Sequence, residues 1–488
     1  MAIAPFEWSS VDEFLDRDNE LAELERWWRN TDRTPLSLYG RRRCGKSWLF
    51  RRFAHGKPAV ILVARRAATG EQLDDFADRL EPILGVRPAL NNVADLFRVI
   101  YRAGRTQKLL VVIDEFPYLL ATTEAQAERE LTAIASVLED ERDGSRLKLM
   151  LCGSLVSQME GLLAERGPLH GRLVSLQLQP VAFPEARLFL EGLDARSQFE
   201  RFAVAGGMPR YLTTVGGKAS LREALCEQVF NPNGPLFNEG RAVLEQELRE
   251  PRVYFSILRQ LASGDKNSGD LVNPLNIEAK ILSKYLNVLE EMRLVNRRLP
   301  VGAESKSRGG HWHLRDPFFR FWFRFVFPFQ DDLENGLDPD VLFDLEVAPV
   351  LNDHVGKEFE DFCRRWTRTT RAVTKVGSWW GPALHSERRK KTRLTEEIEI
   401  VGTAAGKIEL IGEARWRNKC MGVDYLAEIE TFKLPALRQS TLKMVDTPTI
   451  LLFSRGGYTK GLVEAAAGRE DLVLVDVASS LSEKPSVK

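Results

Sequence analysis

The chain has few of the residues that disulfides and structural metal sites require. Its 488 residues include five cysteines and six histidines. The cysteines are scattered, with no CxxC pair and no histidine at ligand spacing, which argues against disulfides and against structural zinc. The sequence does not open on a basic segment followed by an apolar run, and no apolar run is long enough to span a bilayer. We therefore expect a cytoplasmic protein with reduced thiols, no signal peptide and no membrane partner.

Neither sign of charge is in excess, since 69 Lys and Arg residues balance 69 Asp and Glu residues. A net charge of zero gives no overall attraction to nucleic acid, so any such contact must come from local patches. The chain is too long for one ordinary domain and predicts roughly three domains. An aromatic run at 318–327 is interrupted by Arg320 and Arg324, which favours core or interface packing over a membrane segment.

A glycine-containing stretch at residues 36–50 organises the first part of the chain. Gly40 and the run Gly45-Lys46-Ser47 match the pattern G-x-x-x-x-G-K-[ST], between a short apolar strand and the start of a helix. The two glycines let backbone N–H groups surround an anion, and the helix points its positive end at the same place. The residues predicted to contact a nucleotide are Gly40, Arg41, Arg42, Arg43, Cys44, Gly45, Lys46, Ser47, Trp48 and, from a later strand, Ser154.

A run of apolar residues at 109–113 ends in two acids, Asp114 and Glu115. Acids at the carboxyl end of a buried parallel strand face the edge of the sheet where ligands bind. We expect Asp114 and Ser47 to hold Mg²⁺, Glu115 to polarise the attacking water, and Lys46 to contact the outer phosphates. The sequence therefore predicts binding and hydrolysis of ATP with Mg²⁺.

Two further residues are candidates for the same reaction. Ser154 ends the apolar segment 147–154 and is predicted to sense the γ-phosphate; a simple Gly-Ser turn is the alternative. Arg172 precedes the predicted strand 174–178 and could act as an arginine finger, within its own chain or toward a neighbouring subunit. A solvated surface arginine is the alternative for Arg172.

Four stretches, residues 40–47, 110–119, 152–154 and 206–212, together resemble the archaeal-type ATPases of the AAA-related, STAND-like branch of P-loop proteins. The resemblance implies a five-stranded parallel sheet with helices on both faces, in which an extra strand separates the phosphate-loop strand from the acidic strand. It also implies a small helical lid. We place the P-loop ATPase domain at 1–190 and the helical lid at 191–240.

Residues 241–328 show helices followed by a basic hairpin, which is the order of a winged helix-turn-helix domain. The predicted DNA phosphate contacts are Lys280, Lys284, Arg297, Arg298, Lys306 and Arg308. A winged helix binds double-stranded DNA or packs against protein, and the sequence favours neither use. His311 and His313 alternate on one predicted strand and are expected to be structural rather than metal ligands.

After a predicted linker at 329–350, residues 351–480 predict a small α/β domain. Glu399 and Glu413 lie on two alternating strands that follow a helix carrying Glu360, a pattern that resembles restriction-endonuclease-like nucleases. The resemblance implies a second Mg²⁺ site at these acids. However, Glu399 stands where aspartate is usual and Arg415 where lysine is usual. Because an arginine stays protonated, we favour a binding domain over an active nuclease.

A basic run at 387–393 is interpreted as a solvated loop, with a nucleic-acid contact as the alternative. The complete prediction is an α/β fold with a P-loop ATPase sheet and lid, then a winged helix and the endonuclease-like domain. Three functions compete. ATP hydrolysis could switch DNA binding by the C-terminal half, gate a metal-dependent DNA nuclease, or drive a STAND-like scaffold that binds a protein partner or a second copy of the chain.

Overall fold

The computed structural model of this chain describes residues 4–165, 167–217, 220–248, 250–304, 307, 309–384, 387–388, 391–392 and 395–482. The chain forms two compact units. The first unit runs to Val181 and also includes Met208–Arg210, and the second comprises Ala182–Gly207 and the chain from Tyr211 onward. Most of the segment predicted as a lid thus falls within the second unit. Among the described residues, no helix combines the length and apolar character needed to cross a membrane.

The first unit is built on a five-stranded sheet with the strand order β2-β3-β4-β1-β5. Its strands, all parallel, are β1 Leu36–Tyr39, β2 Ala59–Val63, β3 Leu109–Asp114, β4 Leu147–Gly153 and β5 Val174–Gln177. Every residue of β1, β3 and β4 is buried, as expected for central strands covered on both faces. β4 lies between β1 and β3, so the predicted extra strand is confirmed.

Helices precede and follow the strands of the first unit and bury their apolar faces against the sheet. They are α1 Asp18–Arg29, α2 Lys46–Ala54, α3 Thr69–Leu84, α4 Val93–Thr106, α5 Glu124–Glu141 and α6 Val156–Leu163. The start of α4 is set by Asn92, whose side chain accepts a hydrogen bond from the Asp95 N–H. Phe76, Phe97 and Ile100 are buried in the resulting core, together with alternate residues of β3.

The second unit begins with short helices and continues into a helix-turn-helix. The helices between β5 and the hairpin are α7 Phe183–Ala186, α8 Ala195–Ala205, α9 Pro209–Val215, whose first two residues belong to the first unit, α10 Leu221–Leu225, α11 Glu239–Glu247, α12 Pro251–Ala262, α13 Ser268–Leu275 and α14 Ala279–Glu291. Asn267 caps α13 in a capping box with Asp270, which fixes the turn after α12. The antiparallel strands β6 Val295–Arg298 and β7 His311–Leu314 then form the predicted hairpin.

The aromatic run forms the helix α15 Pro317–Phe325, in which Phe318, Phe319, Phe321, Trp322 and Phe323 are buried. This confirms the prediction of core packing for that segment. The predicted linker is helical over much of its length and leads directly into the long helix α18. The helices of this part are α16 Gln330–Glu334, α17 Pro339–Leu342 and α18 Leu351–Thr370.

A second five-stranded sheet, with the order β14-β13-β12-β11-β8, forms the C-terminal α/β region. The strands from β8 onward are β8 Lys375–Pro382, β9 Glu387–Arg388, β10 Lys391–Thr392, β11 Thr395–Ala404, β12 Lys407–Arg415, β13 Met444–Ser454 and β14 Leu472–Val475. β11 pairs antiparallel with β8 and β12, and β13 pairs parallel with β12 and β14. The helices here are α19 Val423–Glu428, α20 Leu434–Arg438, α21 Lys460–Ala467 and α22 Val477–Ser482.

Candidate functional site

The predicted phosphate loop lies between β1 and α2, at the carboxyl edge of the first sheet. A Cβ atom on Gly40 would lie 2.3 Å from the backbone oxygen of Leu178, and Gly45 has a φ of 95°, so both positions favour glycine. Lys46 is 7% exposed. Its Nζ donates hydrogen bonds to the backbone oxygens of Gly40 at 2.7 Å and Arg41 at 3.1 Å. The ammonium therefore lies on the loop's own carbonyl groups, which phosphate oxygens could replace.

The two acids at the carboxyl end of β3 and the serine after β4 lie at the same edge. Ser47 Oγ donates to Asp114 Oδ2 at 3.2 Å. Glu115 has a φ of 53°, and its carboxylate oxygens accept hydrogen bonds from Ser154 Oγ at 2.6 and 2.7 Å. Because β4 is the neighbour of both β1 and β3, their carboxyl ends bring all four side chains to one place.

The electrostatics of this edge suit a cation. Burial, and after it the charge of Glu115, raises the pKa of Asp114, whereas Lys46 and the hydrogen bond from Ser47 act in the opposite direction. A divalent cation beside Asp114 would relieve the cost of this buried charge. The hydroxyl of Ser47 and the carboxylate of Asp114 are also hard oxygen donors, which Mg²⁺ prefers. The residues present therefore fit a magnesium-bound triphosphate.

The other residues of the predicted loop contribute in different ways. Arg42 Nη2 donates to the Tyr118 hydroxyl at 2.8 Å, which joins the loop to the turn after β3. Cys44 is fully buried. Trp48 is 44% exposed and packs edge-on against Trp8 at a ring distance of 5.1 Å. These contacts show Arg42 and Cys44 as supports of the loop and Trp48 as a surface residue of α2.

Arg172, predicted as an arginine finger, precedes β5. Its Nη1 donates to the backbone oxygen of Pro168 at 3.1 Å, and its Nη2 forms an ion pair with Glu139 on α5. The guanidinium is thus held by two groups of the first unit, and the arginine-finger role stays a prediction. Arg41 and Arg43 lie in the loop itself, where Arg43 has a φ of 68°.

Arg17 is a supporting residue that the sequence reasoning missed. It precedes α1 with a φ of 73° and is 8% exposed. Its Nη2 donates to the backbone oxygens of Cys44 at 3.1 Å and Gln179 at 2.8 Å, while Nη1 binds Glu20 at 2.8 Å. Arg17 therefore ties the phosphate loop to the chain after β5. The only signal in the sequence was an Arg directly before an amphipathic helix with acidic residues in its first turn.

In the second unit, the predicted phosphate contacts of the winged helix divide into two groups. Lys280 and Lys284 are exposed on α14, the second helix of the helix-turn-helix. Arg298 instead pairs with Asp361 on α18 at 2.7 Å and lies 3.7 Å from Asp265. Its guanidinium is bound within the unit, and a contact between Arg298 and DNA phosphate stays a prediction.

The predicted contacts Lys306 and Arg308 lie outside the described residues, as do Arg389, Lys390 and Arg393 of the basic run interpreted as a solvated loop. The hairpin as a whole is joined to the C-terminal sheet. Val301 N–H donates to the backbone oxygen of Ser378 at 2.9 Å, and the ring of His311 stacks on Trp380 at a ring distance of 4.7 Å.

His313 is buried, and its Nδ1 lies 2.7 Å from Asp265 Oδ1. Its environment is thus that of a hydrogen-bonded core histidine.

The C-terminal carboxylates do converge, since Arg415 bonds both Glu399 and Glu413, and Glu360 interacts with Glu399. However, no group of three or more His, Cys, Asp or Glu side chains in the described part of the chain is arranged to hold a metal ion. A residue missed from the sequence, Lys433, also reaches this cluster and bonds Glu413 at 2.5 Å. The implied second Mg²⁺ site is therefore not supported by the geometry.

The first sheet, its glycine loop and its paired acids have the arrangement of the P-loop ATPase fold. In agreement, residues 14–215 match the family described as an ATPase domain predominantly from Archaea. Residues 255–297 match bacterial regulatory proteins of the ArsR family, and residues 322–429 match archaeal and bacterial proteins of unknown function. The chain therefore combines a segment similar to archaeal-type ATPase domains, a segment similar to the ArsR-type helix-turn-helix and a C-terminal α/β region.

Three individual proteins are similar to this chain to different degrees. An uncharacterized protein of Methanocaldococcus jannaschii is 25% identical over 416 residues, which cover 83% of this chain and 88% of that protein. A Walker-type ATPase of Pyrococcus abyssi shares the fold with a TM-score of 0.50 and 19% identity, over 66% of this chain and 99% of its own. A STAND protein with a tetratricopeptide repeat sensor from Pyrococcus horikoshii matches with a TM-score of 0.32 and 15% identity, over 74% and 53% of the two chains.

Proposed function

We propose that this chain binds and hydrolyses MgATP in its first unit and uses the nucleotide state to control DNA binding by the second. The observation that carries the proposal is the meeting of Lys46, Ser47, Asp114 and Glu115 at one edge of the sheet, with Ser47 Oγ 3.2 Å from Asp114. The archaeal-type ATPase match over residues 14–215 supports it.

The side chains divide the work of hydrolysis as follows. Lys46 exchanges its bonds to the loop carbonyls for bonds to the outer phosphates. Ser47 and Asp114 hold Mg²⁺, which when bound neutralises charge on the phosphates. Glu115, directed by Ser154, accepts a hydrogen bond from the attacking water and orients it. Ser154 lies beside Glu115, so a γ-phosphate that attracts the Ser154 hydroxyl would also release the Glu115 carboxylate toward that water.

The first experiment tests nucleotide binding. Lys46→Ala should abolish binding of a fluorescent ATP analogue with Mg²⁺, because the loop loses the only positive side chain bonded to its Gly40 and Arg41 carbonyls among the described contacts. Arg79→Ala is a matched control, since it removes one positive charge from the exposed face of α3. Unchanged affinity in Lys46→Ala, with normal binding in the control, would refute the assignment.

The proposal of DNA binding is based on the helix-turn-helix match and on the two exposed lysines of α14. Lys280→Ala with Lys284→Ala should weaken DNA binding and reduce the slope of log K against log salt by about 2, since each phosphate contact adds about 1. Lys460→Ala, a 91% exposed lysine on α21, is the control.

The same titrations, made with ATP and with ADP, test the switch. A difference in DNA affinity between the two nucleotides supports it, and equal affinities contradict it. If no DNA binding is seen at low salt with either nucleotide, the proposed DNA binding is wrong. The function as a scaffold that binds a protein partner or a second copy of the chain then replaces it.

A further inference from the structure

All four carboxylate oxygens of Glu399 and Glu413 have hydrogen-bond partners within the protein. Arg415 Nη1 donates to Glu399 Oε1 at 2.5 Å, and the Ala414 N–H donates to Glu399 Oε2 at 2.7 Å. Arg415 Nη2 donates to Glu413 Oε2 at 2.8 Å, and Lys433 Nζ donates to Glu413 Oε1 at 2.5 Å. Each of the four oxygens therefore accepts a hydrogen bond from a cation or a backbone N–H.

The third acid of the predicted site is bound in the same way. Glu360 on α18 accepts hydrogen bonds from Lys357 Nζ at 3.1 and 3.4 Å and lies 4.0 Å from Arg364. Arg364 in turn donates to the backbone oxygen of Glu399 at 2.8 Å. The three acids are thus surrounded by side-chain cations supplied by α18, β12 and the helical turn 429–433.

The pairing of Glu413 with Lys433 is buried. Glu413 is 2% exposed and Lys433 is 4% exposed. Burial, and after it the charge of Glu399, raises the pKa of Glu413 to about 7, while Lys433 and Arg415 oppose the rise. Carboxylates packed this closely need a cation among them, and a metal-dependent nuclease would meet the need with Mg²⁺. Here the guanidinium of Arg415 lies between Glu399 and Glu413.

We propose that Arg415 takes the place of a divalent cation in the C-terminal α/β region, so that its acidic cluster is a metal-independent clamp and cuts no phosphodiester bond. The planar guanidinium bonds two carboxylates at once and does not lose its proton, so it serves as a permanent cation. It joins β11 to β12, and Lys433 joins β12 to the helical turn that follows. The inference concerns a site separate from the nucleotide site and does not depend on ATP hydrolysis.

The test compares wild-type full-length protein with Glu413→Gln in Mn²⁺ titrations without nucleotide, by calorimetry and by thermal unfolding. Because both proteins keep the Ser47 and Asp114 site, any Mn²⁺ bound there cancels. We expect equal Mn²⁺ stoichiometry and no Mn²⁺-dependent plasmid cleavage by either protein, with or without ATP. One Mn²⁺ site present in the wild type and lost in Glu413→Gln, or cleavage lost in that variant, would overturn the proposal.

A second variant tests the place of the cation directly. Arg415→Ala leaves Glu399 and Glu413 without their shared partner and should gain about one Mn²⁺ site, which the double variant Arg415→Ala with Glu413→Gln should lack. Mn²⁺ should also raise the melting temperature of Arg415→Ala by more than that of the wild type, since both proteins keep the Ser47 and Asp114 site. A folded Arg415→Ala protein that binds no additional Mn²⁺ would contradict the proposal, and the wild-type comparison decides the matter if that variant does not fold.

Discussion

His313 should make the second unit sensitive to mild acid. The side chain lies on β7, is 3% exposed, and its Nδ1 is 2.7 Å from Asp265 Oδ1. Burial, and after it the charge of Arg298, lowers the pKa of His313 from 6.5 to about 4, although Asp265 acts in the opposite direction. Asp361, whose Oδ2 lies 3.8 Å from Nε2, and Arg320 are the other charged groups that face the ring. At neutral pH the folded protein therefore holds this histidine uncharged.

The sign and size of the effect follow from the shift. As the pH falls below the unfolded value, the unfolded chain takes up a proton on His313 while the folded protein does not, so stability is lost. The loss begins near pH 6.5 and is complete once the pH passes the folded value of about 4. Lowering the pKa of His313 from 6.5 to about 4, at ~1.4 kcal/mol per pKa unit, corresponds to a loss of about 3 kcal/mol of unfolding free energy.

The assay is denaturant unfolding of wild type and His313→Gln between about pH 7 and about pH 4, followed on the transition of the second unit. The quantity to follow is the difference in unfolding free energy between the wild type and the variant at each pH. The pKa values of Glu360 and Glu413 are raised to about 7, so these two acids stabilise the folded protein as the pH falls, opposite to the effect of His313. The stability of the wild type relative to His313→Gln should fall by about 3 kcal/mol over this range. Parallel curves for the two proteins, or an NMR titration placing the pKa of His313 near 6.5, would refute the reasoning.

Two predictions concern the nucleotide site. Glu115→Gln should keep its affinity for ATP, and its kcat should fall roughly 10²–10⁴-fold, because the amide cannot accept the proton of the attacking water. An unchanged rate of hydrolysis in a single-turnover assay would show that another residue has this role. Ser154→Ala should lower kcat roughly tenfold or more and leave ADP affinity unchanged, since a hydrogen bond to a charged group contributes about 1.5–3 kcal/mol. An equal loss of ADP binding, measured by calorimetry, would show that Ser154 only supports the fold.

The sequence was a good guide wherever function follows from local order along a strand or helix. Lys46 is the first residue of α2, as predicted from the apolar run and the glycine loop that precede it. Asp114 is the last residue of β3, as predicted from the apolar run that precedes it. The strand after residue 146 ends at Gly153, which leaves Ser154 at the edge. Parallel strands bring their carboxyl ends to one side of a sheet, so these residues could be expected together before any coordinates were known.

Partners that are distant in sequence could not be predicted in this way. Arg298 has the composition and position of a phosphate contact in a wing, yet it bonds Asp361, 63 residues later. Lys433 lies in a helical turn with no motif, and only the packing of that turn against β12 brings it to Glu413. A charged side chain carries no sign in the sequence of whether its counterion is solvent, DNA or another part of the chain.

The phosphate site shows why its parts must act together. Lys46 bonds loop carbonyls, Ser47 bonds Asp114, and Ser154 bonds Glu115, so each polar group already has a partner within the protein. A bound triphosphate gains little from any one of these exchanges alone, because each new bond replaces an existing one. In the proposed mechanism the favourable step would be the joint exchange, in which the phosphates would contact Lys46 while the Ser154 hydroxyl would turn from Glu115 to the γ-phosphate. ADP has no γ-phosphate and would not complete that exchange, so the state of Glu115 would follow the γ-phosphate rather than nucleotide binding as such.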